Sequence, residues 1–245
     1  MNFTYSGYEL LLKCIRNSGY TLTPFRDAET IINPKAIIRH DVDLSPEKAL
    51  RIAALEHYLG VKATYFFLLG SEWYNLLSAD SLRCMKEILS MGHEIGLHFD
   101  ASQYAGKPLQ EIEWQLIHDI RLLDEITGAK VKSVSWHIPV DELLGKKLPM
   151  LESLGIKNAY DPEYFSGYKY LSDSMMRWRD NPFEYMDTTQ YPNIQVLTHP
   201  VWYGDTESET SLDILKKVFN QKSAESIRYL ERILPGFKDQ LRGAV

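Results

Sequence analysis

Cysteine is scarce in this chain: Cys14 and Cys84 are the only two in 245 residues. Two thiols cannot build a disulfide framework, which points to a reducing compartment. Long apolar runs are missing as well. The stretch at residues 64–69 is far shorter than the ~20 apolar residues that a helical membrane span requires. The opening segment MNFTYSGYELLLKCIRNSGY has no basic stretch ahead of an apolar core, so it does not read as a signal peptide. A cytoplasmic location is therefore expected. Basic charge is in deficit too: 27 Lys and Arg stand against 33 Asp and Glu, a formal net charge of −6. Nucleic acid is a poor partner for such a surface, because phosphates demand a basic footprint.

What is present is an ordinary globular balance, with 44% hydrophobic and 24% charged residues. No composition break, low-complexity tract or internal repeat marks a boundary, so residues 1–245 are expected to form one domain. Short apolar runs alternate with longer amphipathic stretches. Residues 36–41 read as a buried strand. Ser45-Pro46-Glu47 then opens a helix: Ser suits the N-cap, Pro the first helical position, and Glu the positive end of the dipole. Gly60 ends it. Strands are expected at 61–69, 93–99, 131–136, 157–160 and 193–198. Helices are expected at 80–91, 109–127 and 210–233, with a short one ending at Gly155. Strand–helix units in series mean parallel strands with helical crossovers, an α/β sheet or barrel. The Tyr-, Pro- and Asp-rich stretch 161–191 reads as loops over one face.

Chemistry-bearing residues fall where strands end. Arg39-His40-Asp41-Val42-Asp43, Gly96-Leu97-His98-Phe99-Asp100, Ser135-Trp136-His137-Ile138-Pro139 and Leu197-Thr198-His199-Pro200 each close an apolar run. In parallel α/β folds the C-terminal strand ends converge on the face that carries the active site. Asp41 and Asp43 are two apart and can point the same way, as can His98 and Asp100. His93, five before His98, falls on the opposite face and reads as structural. Such a set suits amide hydrolysis, which needs an activated water, a stabilised oxyanion and a proton for the leaving amine. A divalent metal held by histidine and carboxylate serves the first two needs. A nearby aspartate can take the water's proton, and a histidine can protonate the amine.

The pattern resembles the polysaccharide deacetylases, carbohydrate esterase family 4, over residues 36–203. Its Asp-any-Asp first motif is also similar to that of the arabinose-lipid deformylases. The resemblance implies an irregular (β/α) barrel of about seven parallel strands. It implies Asp41 as general base, Asp43 and His98 as ligands of a divalent metal, zinc by expectation, and His199 as catalytic acid. It also implies a small carbohydrate substrate: an N-acetyl or N-formyl amino sugar, or a precursor of a surface polysaccharide. The family's second ligand histidine would stand at position 102, which is Ser102. Its third motif begins with arginine, where this chain has His137. The fourth motif has no clean match, although Asp173-Ser174 and Arg177-Trp178 lie in the corresponding region. Either His137 or Asp100 then completes the metal site, or the metal is held weakly or lost.

Plainer readings exist for each residue. Asp43 can cap the helix that follows it, His98 can be a satisfied core histidine, and His137 and His199 can be turn histidines beside prolines. Their coincidence at four strand ends favours function. Arg39 is expected to pair with an acid near the site. Two other functions fit parts of the pattern. Asp-any-Asp after an apolar strand also opens a class of Mg²⁺-dependent phosphatases, which three strand-end histidines disfavour. A sugar-binding barrel without catalysis is suggested by Ser102.

Overall fold

The computed structural model describes residues 1–32, 34–207 and 209–243. The chain divides into two compact units, Met1–Glu207 and Ser208–Val245. The first contains α1 (Tyr5–Asn17), β1 (Thr21–Thr23), β2 (Lys35–Val42), α2 (Pro46–Tyr58), β3 (Thr64–Leu68), α3 (Ala79–Ser90), β4 (Glu94–Asp100) and α4 (Leu109–Thr127). It continues with β5 (Ser133–His137), α5 (Pro149–Ser153), β6 (Lys157–Asn158), α6 (Pro162–Phe165), β7 (Lys169–Ser172) and β8 (Asn193–Thr198). The second unit consists of α7 (Ser211–Ile233), opened by a Thr210–Asp213 capping box, and α8 (Phe237–Gly243). No helix among the described residues is long and apolar enough to cross a membrane.

Seven strands pair in the order β6-β5-β4-β3-β2-β8-β7, every pair parallel, with β1 beside the start of β2. The expected α/β fold of parallel strands is what forms. It curls as an open barrel, since no pairing joins the end strands β6 and β7 among the described residues. Two strands lie where none was expected: β1, and β7 within the 161–191 stretch.

Local chemistry explains the boundaries. The Ser45 side chain accepts from Lys48 N at the start of α2, as its N-cap position requires. Gly128 ends α4 at φ 68°, a left-handed conformation that glycine adopts without strain. β2 is buried along its whole length, as a strand covered on both faces should be.

Alternation along the strands sorts side chains into two sets. On β2, Arg39 and Asp41 face one way and His40 the other. His40 belongs to a buried network beneath α1 and α2. Its Nε2 lies 2.9 Å from Glu56 Oε1, which also accepts from Tyr8 Oη, while Tyr65 Oη donates to Glu56 Oε2. His93 completes this layer: its Nδ1 accepts from Ala63 N, so its Nε2–H donates to Ala53 O at 3.0 Å. His93 is structural, as its strand position suggested.

The other set fills the barrel. At the N-terminal strand ends Glu94 takes hydrogen bonds from Arg26 N, Thr64 Oγ1 and Ser133 Oγ. Above it Gly96 leaves room for the Phe66 ring. A Cβ at Gly96 would sit 2.5 Å from two ring carbons and 2.9 Å from Ser133 O. At the C-terminal ends the polar residues gather.

Candidate active site

Arg39 is the foundation of the site. It is fully buried, and its guanidinium donates to Asp41 Oδ2 at 2.9 Å, Gln195 Oε1 at 2.9 Å and Tyr160 Oη at 3.2 Å. Its planar face also lies against the Tyr160, Phe66 and Tyr170 rings. A buried cation needs a counter-charge, and Asp41 supplies it. The expected acidic partner of Arg39 is therefore Asp41 itself, two residues along the same strand. The other carboxylate oxygen, Oδ1, accepts from Ser135 Oγ at 3.3 Å. Asp41 is thus held at both oxygens.

Asp43 stands just beyond the end of β2 and meets three histidines. Its Oδ1 is 3.2 Å from His98 Nε2 and 3.3 Å from His137 Nδ1, and its Oδ2 is 3.9 Å from His199 Nε2. Burial pushes its carboxyl upward, but the adjoining His137 and His98 rings and the charge of His199 outweigh that. Asp43 is held well below the usual carboxylate range. Neither the His98 nor the His137 ring N–H is aligned to donate to Oδ1, which is buried without a hydrogen bond. Asp43, His98 and His137 place one ligand atom each within 4.8 Å of one another. A carboxylate oxygen and two imidazole nitrogens that converge without bonding one another form a donor set suited to a metal cation.

His98 is buried at the end of β4, with Nδ1 2.8 Å from Ser135 Oγ. Ser135 faces it across the β4–β5 pairing. His137 closes β5, and the chain then breaks direction at Ile138, whose φ of 48° is unfavourable for a β-branched residue. Strain of this kind gathers at functional sites. Among the described residues, the other two non-glycine residues with positive φ, Met175 and Met176, follow closely after Asp173.

Asp173 holds His199. Its Oδ1 is 2.6 Å from His199 Nδ1, both its oxygens accept from His199 N, and Oδ2 accepts from Tyr203 Oη at 3.0 Å. Burial lowers the imidazole's proton affinity, but the hydrogen bond and charge of fully buried Asp173, with Asp43 and Asp41 beyond, raise its pKa to about 9.

Five of the six expected site residues come together: Asp41, Asp43, His98, His137 and His199. Asp100 does not join them. Its carboxylate is occupied by Ser102 N, Ser102 Oγ and Gln103 Nε2, capping the turn after β4, and it lies outside the Asp43–His98–His137 cluster. The strand ends at Asp100, so the two-residue alternation no longer fixes its direction.

No family model matches the sequence, and no curated protein matches it either. Solved structures do match. The chain is similar to structures of polysaccharide deacetylases. One is a carbohydrate esterase family 4 pseudoenzyme from Bacillus anthracis, 18% identical, over 81% of this chain and 65% of that one, with a TM-score of 0.45. This chain thus spans just under two thirds of that protein's length. Another is the chitin deacetylase of the fungal pathogen Colletotrichum lindemuthianum, 14% identical over 82% and 86% of the two chains, with a TM-score of 0.48. A third is the peptidoglycan deacetylase PdaC of Bacillus subtilis, 14% identical over 80% and 96%, with a TM-score of 0.45. At such identities the likeness concerns the backbone, so a functional reading has to rest on this chain's own side chains.

Two residues beside the cluster had no role assigned from sequence, although Asp173 lies in the region that corresponds to the fourth motif. Asp173 follows β7, so it too is an acid at a strand exit; the strand is only four residues long and hides its own signal. Ser135 lies inside a quoted cluster, but its role depends on facing His98 across the sheet.

Proposed function

We propose that this protein is a metal-dependent hydrolase that removes an acetyl or formyl group from the nitrogen of an amino sugar. The observation that carries the reading is the convergence of Asp43, His98 and His137 around a buried oxygen without a hydrogen bond, with Asp41 and His199 beside them. Asp43, His98 and His137 would hold the cation, zinc by preference for nitrogen and carboxylate donors. Once bound, such a cation acidifies water and polarises the acyl carbonyl.

The protein's own groups do the rest. Asp41, fixed by Arg39, takes the proton of the attacking water as its oxygen bonds to the acyl carbon. His199, charged through Asp173, donates its Nε2 proton to the departing nitrogen as the C–N bond breaks. The products are a carboxylate and a free amine. Cys14 and Cys84 are both unpaired, which supports a reducing, cytoplasmic setting and hence a precursor, not a finished polymer, as substrate.

His137 is preferred over Asp100 as the third ligand because Asp100 is already committed to its turn. The test is zinc content by elemental analysis after dialysis, alongside release of free amine from N-acyl amino sugars. Wild type should retain zinc, His137→Ala should lose it, and Asp100→Ala should keep it. A wild type that takes up no divalent metal would overturn the hydrolase reading in favour of a sugar-binding barrel.

A further inference from the structure

Ser135 is fully buried between two groups of the site, and its hydroxyl has one proton to share between them. Its Oγ lies 2.8 Å from His98 Nδ1 and 3.3 Å from Asp41 Oδ1. An ionised carboxylate can only accept, so the direction of the Ser135 proton decides the tautomer of His98.

Two arrangements are available. If Ser135 donates to His98 Nδ1, the imidazole proton sits on Nε2, 3.2 Å from Asp43 Oδ1. That proton would then lack an aligned acceptor there, because Asp43 Oδ1 receives no hydrogen bond. Asp41 Oδ1 would also face only serine lone pairs. If Ser135 instead donates to Asp41, it accepts from His98 Nδ1–H, and both short contacts become hydrogen bonds. His98 Nε2 is then bare and turned toward Asp43. The second arrangement leaves fewer buried groups unsatisfied, and such groups are costly.

We propose that Ser135 is a positioning residue that locks His98 in its Nδ1–H tautomer, presents Nε2 as a ligand, and ties that ligand to Asp41. Ligating histidines commonly donate their other ring N–H directly to a carboxylate or carbonyl, which orients the ring and raises its basicity. Here a serine hydroxyl is interposed, and the carboxylate at the far end is the proposed base. The histidine that holds the metal and the aspartate that deprotonates water therefore share one hydrogen-bonded chain, Asp41–Ser135–His98. A disturbance at either end reaches the other.

The inference rests on the metal-site reading above, but its test does not need a loaded enzyme. In metal-free protein, ¹⁵N shifts of the His98 ring read the tautomer directly. Wild type should show Nδ1 protonated. Ser135→Ala should lose that signature and bind zinc roughly 10- to 100-fold more weakly by chelator competition. Ser135→Thr, which restores a hydroxyl on the same strand, should recover both. A wild-type His98 protonated on Nε2 would overturn the proposal, as would a Ser135→Ala variant with unchanged tautomer and zinc affinity. If the tautomer follows Ser135 but wild type binds no zinc, the hydrolase reading falls and the assignment of Ser135 as the tautomer lock stands.

Discussion

Replacing Asp173 with asparagine tests the proton inventory of the site most directly. Asn keeps the size of the side chain and one carbonyl oxygen for His199 N, but removes the charge facing His199 Nδ1 at 2.6 Å. His199 now stands near pKa 9 because Asp173 overcomes the burial that disfavours a charged ring. Relative to an ordinary imidazole near 6.5, that amounts to about 3 kcal/mol in favour of the protonated form. Without the carboxylate, burial remains and its main counterweight is gone. The ring should then titrate at or below the ordinary value.

The sign follows from which form works. In the proposed mechanism His199 donates a proton, so activity should be present below its pKa and lost above it. Wild-type kcat/KM should fall on the alkaline side near pH 9, and in Asp173→Asn that limb should move to about pH 6.5 or lower. At about pH 8 the charged fraction drops from nearly all to a few per cent, a loss of roughly 30-fold from protonation alone. Below about pH 6 much of the rate should return. The same raised pKa stabilises the fold: its contribution is complete below about 6.5 and disappears as the pH rises through about 9. Urea unfolding across that window should show the decline in wild type and not in the variant. NMR titration of the His199 ring reads the pKa without any substrate. A His199 that still titrates near 9 in Asp173→Asn would refute the reasoning. A rate lowered equally at every pH would show that Asp173 serves only as scaffold.

Two further substitutions separate chemistry from packing. Asp41→Asn should abolish turnover and weaken zinc binding no more than Ser135→Ala does through their shared hydrogen-bonded chain, and thermal unfolding should show a loss of about 3 kcal/mol or more, since buried Arg39 loses its counter-charge; zinc loss well beyond that of Ser135→Ala would mean that Asp41 is itself a ligand. Gly96→Ala should destabilise the barrel by about 1–3 kcal/mol in urea unfolding, because the new methyl meets the Phe66 ring and Ser133 O; an unchanged midpoint would mean that the ring moves freely.

Much of the fold was legible because its punctuation is local. The 109–127 helix and the 193–198 strand fall where the pattern puts them, the first ended by a left-handed glycine and the second by a histidine–proline exit. The helix after Ser45 follows its capping chemistry. What escaped notice was short or non-local. β1 has three residues and β7 four, too few for alternation to register, and α1 was not anticipated at all. The convergence of Asp43, His98, His137 and His199 was legible because topology gathers strand exits whatever the loops do. Asp100 lies outside the cluster because its carboxylate caps the turn after β4. The partnership of Ser135 with His98 depends on which strands pair, and one sequence does not reveal that.

The departures from the deacetylase pattern make better sense together than singly. Where the resemblance anticipates a ligand histidine, Ser102 helps Asp100 cap its turn, with Oγ 2.6 Å from Oδ1. Where it anticipates an arginine near the base, His137 stands instead, beside Asp43. Each change alone would damage the proposed site, one by removing a ligand and the other by removing a cation from the base. Arg39 resolves the second loss: it reaches Asp41 from the same strand, buried and braced by Gln195, Tyr160 and three aromatic rings. With Asp41, the proposed base, already neutralised from below, position 137 has no need of a guanidinium. An imidazole there adds a donor atom without setting a permanent positive charge beside the proposed cation. In the proposed site, the ligand missing after β4 would thus be replaced at the end of β5, the neighbouring strand, and the number of protein ligands would stay at the three that a catalytic zinc site ordinarily uses.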